Sequence, residues 1–193
     1  MNRRAAWIVL AAACGGCAVA PVAPPASPPD PESLQYWTAS GRLALAANGE
    51  GGSGSFTWQQ RSVESTLSIR GPLGAGAMQV TTDGDSLSVT DAEGRRLDTE
   101  QAGALLRRRL GTDLPLADLR YWMLGVPSPA SPSSVADAAV VPVRVIEQSG
   151  WRIGYETFTV AGGVSLPQRF TATQGAVRLK MVVDDWQLAA APG

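Results

Sequence analysis

The sequence predicts a mainly β protein, a curved antiparallel sheet or open barrel of about ten strands wrapped around two helices. Two observations predict it. Most of the chain from Tyr36 onward consists of short runs in which apolar and polar residues alternate, each closed by a polar or glycine-containing break. Between the sixth and seventh of these runs the spacing of apolar residues changes to three and four, and stays so through two successive segments.

The first run, Tyr36 to Ala47, places Trp37, Ala39, Gly41, Leu43 and Leu45 on one side and Thr38, Ser40, Arg42 and Ala44 on the other, then meets the turn pair Asn48-Gly49. Gly52 to Gln60 repeats the pattern and carries Phe56 and Trp58. The third and fourth runs, Glu64 to Arg70 and Ala75 to Thr82, flank Gly71-Pro72-Leu73-Gly74. There the proline sets φ and the glycines permit φ > 0, which makes a tight connection with Leu73 near its tip. An apolar residue at a turn tip either folds back onto a nearby core or reaches toward a membrane or lipid. Taken alone, the residues leave both readings open. Asp83-Gly84-Asp85 and Ala92-Glu93-Gly94 mark two more hairpins, around Ser86 to Thr90 and before Arg96-Leu97. Six strands joined by short turns make a meander.

Asp98 and Gln101 stand in capping-box spacing, and Ala102, Leu105, Leu106 and Leu110 follow at helical intervals up to Gly111. Pro115 suits a first helical position. Leu116, Leu119, Tyr121, Trp122, Met123 and Leu124 then make a short helix that is apolar almost all round, closed by Gly125 and Pro127. Such a helix has to be buried or sit in a cavity. Ser128 to Val140 shows no pattern and reads as a loop. Strands resume as Val141 to Gln148, Trp151 to Val160, Leu166 to Thr173 and Val177 to Leu188, two further hairpins.

The amino-terminal end has the layout of a processing segment. Arg3 and Arg4 precede an apolar run, Ala5 to Ala13, that is too short to span a bilayer, and Gly15-Gly16-Cys17 offers a small-residue cleavage site. A cysteine at that place resembles the lipobox of bacterial lipoproteins, which assigns residues 1–16 to a signal peptide and lipid attachment to Cys17, with Cys14 as the alternative. Residues 17–33 read as a tether: in its stretch from Ala18 to Pro31, prolines at 21, 24, 25, 28, 29 and 31 favour an extended chain that at ~3.1 Å per residue reaches about 40 Å. Residues 34–190 form the folded domain. Because Ala18 follows Cys17, and an aspartate there is what resembles the inner-membrane retention signal, sorting to the outer membrane is expected.

Sixteen basic and seventeen acidic residues leave a formal net charge of −1, so the chain lacks the field that would hold nucleic acid through its phosphates. Arg107-Arg108-Arg109 sits at a helix end, where cations complement the terminal carbonyls. The absence of histidine removes histidine acid/base chemistry and nearly all zinc and copper sites. The acidic pairs Asp83/Asp85 and Asp184/Asp185 read as solvated hairpin residues. No catalysis, metal or cofactor is expected.

Several pieces, in order along the chain, resemble the LolB family of outer-membrane lipoprotein receptors of Gram-negative bacteria. These are Gly41-Arg42-Leu43, Phe56-Thr57-Trp58-Gln59-Gln60, Gly71-Pro72-Leu73-Gly74, Leu105-Leu106 with Leu110-Gly111, Leu114-Pro115-Leu116, Tyr121 to Pro127, Gln148-Ser149-Gly150-Trp151, and Lys180 to Trp186. The resemblance implies an incomplete antiparallel β-barrel of ten to eleven strands with two or three helices plugging an apolar interior. It further implies acceptance of lipoproteins from the periplasmic carrier LolA by binding their acyl chains, and insertion into outer-membrane phospholipid from the periplasmic face by a monomer. Trp58, Trp122, Met123 and Leu124 are the expected lining or plug of the acyl pocket. Leu73, with Pro72 and Gly74, is the expected membrane-targeting loop. A non-catalytic scaffold that docks a protein partner along a sheet edge is the competing reading.

Overall fold

The computed structural model describes residues 29–72, 76–110 and 115–190, with the side chains of Leu106, Arg109 and Leu110 excepted. Cys14, Cys17, Leu73 and Gly74 lie outside the described residues. Eleven strands, taken in chain order, form one antiparallel sheet with two α-helices inserted after the sixth. The first half comprises β1 (Tyr36–Ala47), β2 (Glu50–Arg61), β3 (Glu64–Arg70), β4 (Met78–Thr82), β5 (Leu87–Asp91) and β6 (Arg96–Leu97). The helices α1 (Thr99–Leu110) and α2 (Leu116–Met123) follow. The second half comprises β7 (Ser133–Asp137), β8 (Arg144–Gln148), β9 (Trp151–Ala161), β10 (Val164–Gln174) and β11 (Val177–Leu188).

The spatial order is β6-β5-β4-β3-β2-β1-β11-β10-β9-β8-β7, so the sheet stays open and ends at β6 and β7. Two meanders are joined where the first strand pairs with the last, from Trp37 opposite Leu188 to Ala46 opposite Arg178. The register slips once, between Ser40/Asp185 and Gly41/Val183, leaving Asp184 as the extra residue of a bulge. Arg42 grips that residue with two bonds, Nε to Oδ2 at 3.1 Å and Nη2 to Oδ1 at 2.8 Å. Gly41 is required here. A Cβ on it would run into the carbonyl oxygen of Val182 across the strand pair.

Local chemistry explains the element boundaries. Asn48 and Gly49 both have positive φ, 52° and 81°, as the two-residue hairpin between β1 and β2 demands. Asp83 Oδ1 accepts the backbone N–H groups of Asp85 and Ser86 in the β4–β5 turn. The carboxylate of Asp98 accepts the Gln101 N–H at 3.0 Å and starts α1. Arg107 and Arg108 are exposed near its other end. Pro115 stands one position outside α2, not within it, and its carbonyl accepts from Asp118 and Leu119. Gly125, at φ 79°, ends that helix.

Several boundaries differ from the sequence reading, among them the starts of β8 and β10, at Arg144 and Val164 rather than Val141 and Leu166. β2 begins at Glu50, two residues early, because the tight Asn48-Gly49 turn lets pairing start at once. β4 begins only at Met78. The stretch Ser128 to Val140, read as a loop, contains β7. All five of its residues are exposed, so no buried face writes an alternation into the sequence. The strand is held by its ladder to β8 and by Arg144, whose Nε donates to Asp137 Oδ1 at 2.7 Å.

Buried apolar residues from every long strand and from both helices form one core. Gly41→Ala is expected to cost about 1–3 kcal/mol by forcing β1 and β11 apart, seen as a lower urea midpoint with a little-changed slope.

Candidate functional site: an apolar cavity at one end of the sheet

Helix α2 is fixed inside the sheet by packing and by hydrogen bonds. Gln148 on β8 is buried, and its Oε1 accepts from Trp122 Nε1 at 2.9 Å and from the Ser128 N–H at 2.8 Å. Its Nε2 donates to the carbonyls of Ser128 and Ser131, both at 2.7 Å. All four bonding positions of the carboxamide are thus used. The buried hydroxyl of Tyr155 donates to the Trp122 carbonyl at 2.8 Å, and burial pushes its pKa far above the ordinary phenol value. At the helix end, Arg144 Nη1 donates to the Gly125 carbonyl, with its guanidinium over the Phe158 ring.

With α2 so placed, the two ends of β1 are filled differently. At the Trp37 end, the indoles of Trp37, Trp58 and Trp186 pack at centroid separations of 5.9 and 5.3 Å. Gln60 supports that group: its Oε1 accepts from Trp58 Nε1 at 3.3 Å and from Ser65 Oγ at 2.6 Å. At the Leu43 end the side chains are smaller, and a cavity of about 570 Å³ is left open. The sheet wall of the cavity is Leu43 and Leu45 of β1, Leu67 and Ile69 of β3, Met78 and Val80 of β4, Val89 of β5, Leu97 of β6, and Leu179 and Met181 of β11. Leu105 of α1 and Leu116 and Leu119 of α2 close the other side. Gly76 and Ala77, ahead of β4, complete the wall with Asp91, Ala92, Glu93 and Arg95 of the β5–β6 turn.

That turn is internally bonded. Asp91 Oδ1 accepts the N–H groups of Glu93 at 3.1 Å and Arg95 at 2.8 Å, and Oδ2 accepts from Arg95 Nε at 2.8 Å. Partial desolvation pushes the Asp91 carboxyl up, but the Arg95 backbone, its guanidinium and the Glu93 N–H outweigh it, and the group ends below the usual carboxylate range. A carboxyl depressed in the folded state contributes its stabilisation above the unfolded pKa, so the turn keeps this tie at neutral pH and loses it only in acid.

The cavity is not lined by the residues singled out from the sequence. Trp122 and Met123 are fully buried in the core, and Trp58 belongs to the indole group at the opposite end of β1. Leu124 faces a separate pocket of about 110 Å³, shared with Leu34, Trp37, Gln60 and Arg120. Helix α2 reaches the cavity through Leu116 and Leu119 instead, in its first turns, while Trp122 near its end is bonded to Gln148. Pro72 is exposed, and Gly76, four residues on, lines the cavity. Among the described residues no group of three metal-ligating side chains occurs. Asp184 is paired with Arg42, and Asp185 accepts from Gln187.

An open antiparallel sheet curled over inserted helices, with an apolar cavity at one end, defines a class of incomplete β-barrels. Solved members of similar fold include a DUF1329 family protein from Desulfovibrio piger, at TM-score 0.54 and 7% identity, matching 84% of this chain and 89% of that one. A LolA superfamily protein from Nitrosomonas europaea has TM-score 0.50 and 11% identity, over 83% of this chain and 89% of that one. The family model described as outer membrane lipoprotein LolB matches residues 35–186, and this chain belongs to that family. Proteins named outer-membrane lipoprotein LolB from Stutzerimonas stutzeri and Marinomonas sp. are 32% and 30% identical to it. The alignments cover 80% and 83% of this chain and 75% and 85% of those proteins.

Gln148→Leu is expected to orphan the Trp122 indole N–H and the Ser128 N–H and to cost ~2 kcal/mol or more. For a chain of this length that is a melting temperature lower by about 4–8 °C, accompanied by a red shift in tryptophan emission.

Proposed function

We propose that the protein is an outer-membrane lipoprotein receptor, lipid-anchored through Cys17 and facing the periplasm. As a monomer it accepts lipoproteins from the carrier LolA by taking their acyl chains into the cavity, and it passes them to outer-membrane phospholipid. The cavity of about 570 Å³, apolar except at one turn, carries this reading in a chain of this family. Each buried methylene is worth ~0.8 kcal/mol, so acyl chains released into water during transfer would face a prohibitive cost. Hand-over is therefore direct, cavity to cavity, and runs down an affinity gradient in which ~1.4 kcal/mol gives a tenfold bias. No bond is made or broken, and no cofactor takes part.

In this reading Trp58, Trp122, Met123 and Leu124 build the core that holds the cavity in shape. Leu73, flanked by Pro72 and Gly74, is the membrane-directed residue, and delivery beside the cavity is supported by Gly76 being part of its wall. Burying one leucine is worth ~1.5–3 kcal/mol, enough to orient a domain already tethered but not to anchor it. The scaffold alternative has its own observation in β7, an edge strand exposed along its whole length with Val135 outward.

A fluorescent fatty acid separates the two readings, because a scaffold has no reason to bind it. Leu45 is half-buried and lines the cavity, so Leu45→Trp should fill space without emptying the core. The expected result is at least tenfold weaker probe binding at an unchanged melting temperature; unchanged affinity would remove the cavity from the mechanism. Leu73→Glu should still accept lipoprotein from loaded carrier yet fail to deliver it to liposomes. Delivery at the normal rate would make Leu73 an ordinary turn residue.

A further inference from the structure

The charged residues that line the cavity, Asp91, Glu93 and Arg95, all come from the single turn between β5 and β6, and Glu93 and Arg95 are exposed. The turn therefore stands at the rim, where the apolar wall meets solvent. Its three charges are not equivalent. Asp91 spends both carboxylate oxygens on the turn itself, on the N–H groups of Glu93 and Arg95 and on the Arg95 side chain. Arg95 approaches Asp91 Oδ2 through Nε and Nη2, each at 2.8 Å. Its remaining terminal nitrogen has no hydrogen-bond partner among the described residues. A guanidinium has five N–H groups in a rigid fork, so a fork seated on one carboxylate oxygen still presents donors on its other side.

We propose that Arg95, oriented by Asp91, receives the carbonyl oxygen that joins an acyl chain to its head, so that chains enter the cavity hydrocarbon end first and stop at a fixed depth. The proposal rests on the reading of the cavity as an acyl site and adds the residue that reads the head. An acyl ester or amide offers acceptors and, at the ester, no donor. Of the three rim side chains only Arg95 can donate, since a carboxylate accepts only. Leaving a carbonyl unbonded at an apolar rim carries a desolvation penalty that a fixed donor removes. Arg95 touches the ligand; Asp91 is a positioning residue that acts through it.

The test uses the full chain with Cys14 and Cys17 replaced by serine, so that no attached lipid competes. A cavity-bound fluorescent dye is displaced by three graded series of ligands: fatty acid methyl esters, free fatty acids, and alkylbenzenes that carry no acceptor. Arg95→Met should weaken every methyl ester about tenfold, as for one lost charge-assisted bond. The gain per added methylene, roughly fourfold, and the affinity for alkylbenzenes should stay as they were. Arg95→Lys should restore part of the ester affinity, and Asp91→Asn should give an intermediate loss. A purely structural role would lower all three series together, and that result overturns the proposal. So does an Arg95→Met variant that binds methyl esters normally, or one whose loss is confined to free fatty acids, which would make the rim a carboxylate site. If no series displaces the dye from the unaltered chain, the acyl reading of the cavity fails, and the role of Arg95 falls with it.

Discussion

A helix that is apolar almost all round has no stable place on a protein surface, so α2 must lie inside the sheet, and the buried carboxamide of Gln148 fixes where. Everything around the helix follows from that choice. Trp122 is turned toward β8, its carbonyl is taken by Tyr155 on β9, and the end of the helix is held by Arg144. Leu116 and Leu119, about two turns and one turn nearer the start of α2, face the first half of the sheet. A polar group at the centre of an apolar interior serves here as a position marker: one of its four bonds goes to Trp122 on the helix and three to the backbone of Ser128 and Ser131 just beyond it.

The cavity is then a matter of unequal filling. The described residues contain five tryptophans, and none of them lines it. Three crowd the Trp37 end of β1, and Trp122 and Trp151 pack together at 6.0 Å beside Gln148. The Leu43 end receives leucine, isoleucine, valine and methionine, whose side chains reach less far across the same distance between sheet and helices. Methionine and leucine also adapt to ligands of varying shape more readily than a ring does. The same sheet thus carries a rigid, ring-filled end and a soft, unfilled one.

Much of this was legible in the sequence, for reasons that can be named. Alternation is written by burying one face, and β1, β3, β6 and β11 fall where the alternation puts them. β7 escaped because it buries nothing, and an exposed strand is defined by its neighbour's hydrogen bonds, which leave no pattern in its own residues. The site was harder. Trp58, Trp122, Met123 and Leu124 were expected at the pocket because their segments were expected to line or plug the barrel, yet large side chains fill space and a cavity is lined by what fails to fill it. The half-buried leucines of β1 and the Asp91–Arg95 turn look like any half-exposed strand and any surface hairpin until the helices are in place. Gln60 gave a fainter signal, sitting in a strand two residues from the buried tryptophan whose indole it bonds, whereas Gln148 bonds the indole of Trp122 on a distant element and left no local trace.

The place of β1 in the sheet bears on how the chain can be assembled. Its partner on one side, β2, follows after two residues; its partner on the other, β11, is the last strand of all. A chain emerging amino terminus first can form the β1–β2 hairpin at once, but β1 keeps a bare edge until β11 emerges, and the two meanders remain separate pieces until then. Closing so long a loop adds little to the final free-energy cost, which grows only with the logarithm of length, and much to the waiting time. Loss of residues from the carboxyl terminus would accordingly take out the middle of the sheet and leave both of its outer edges in place.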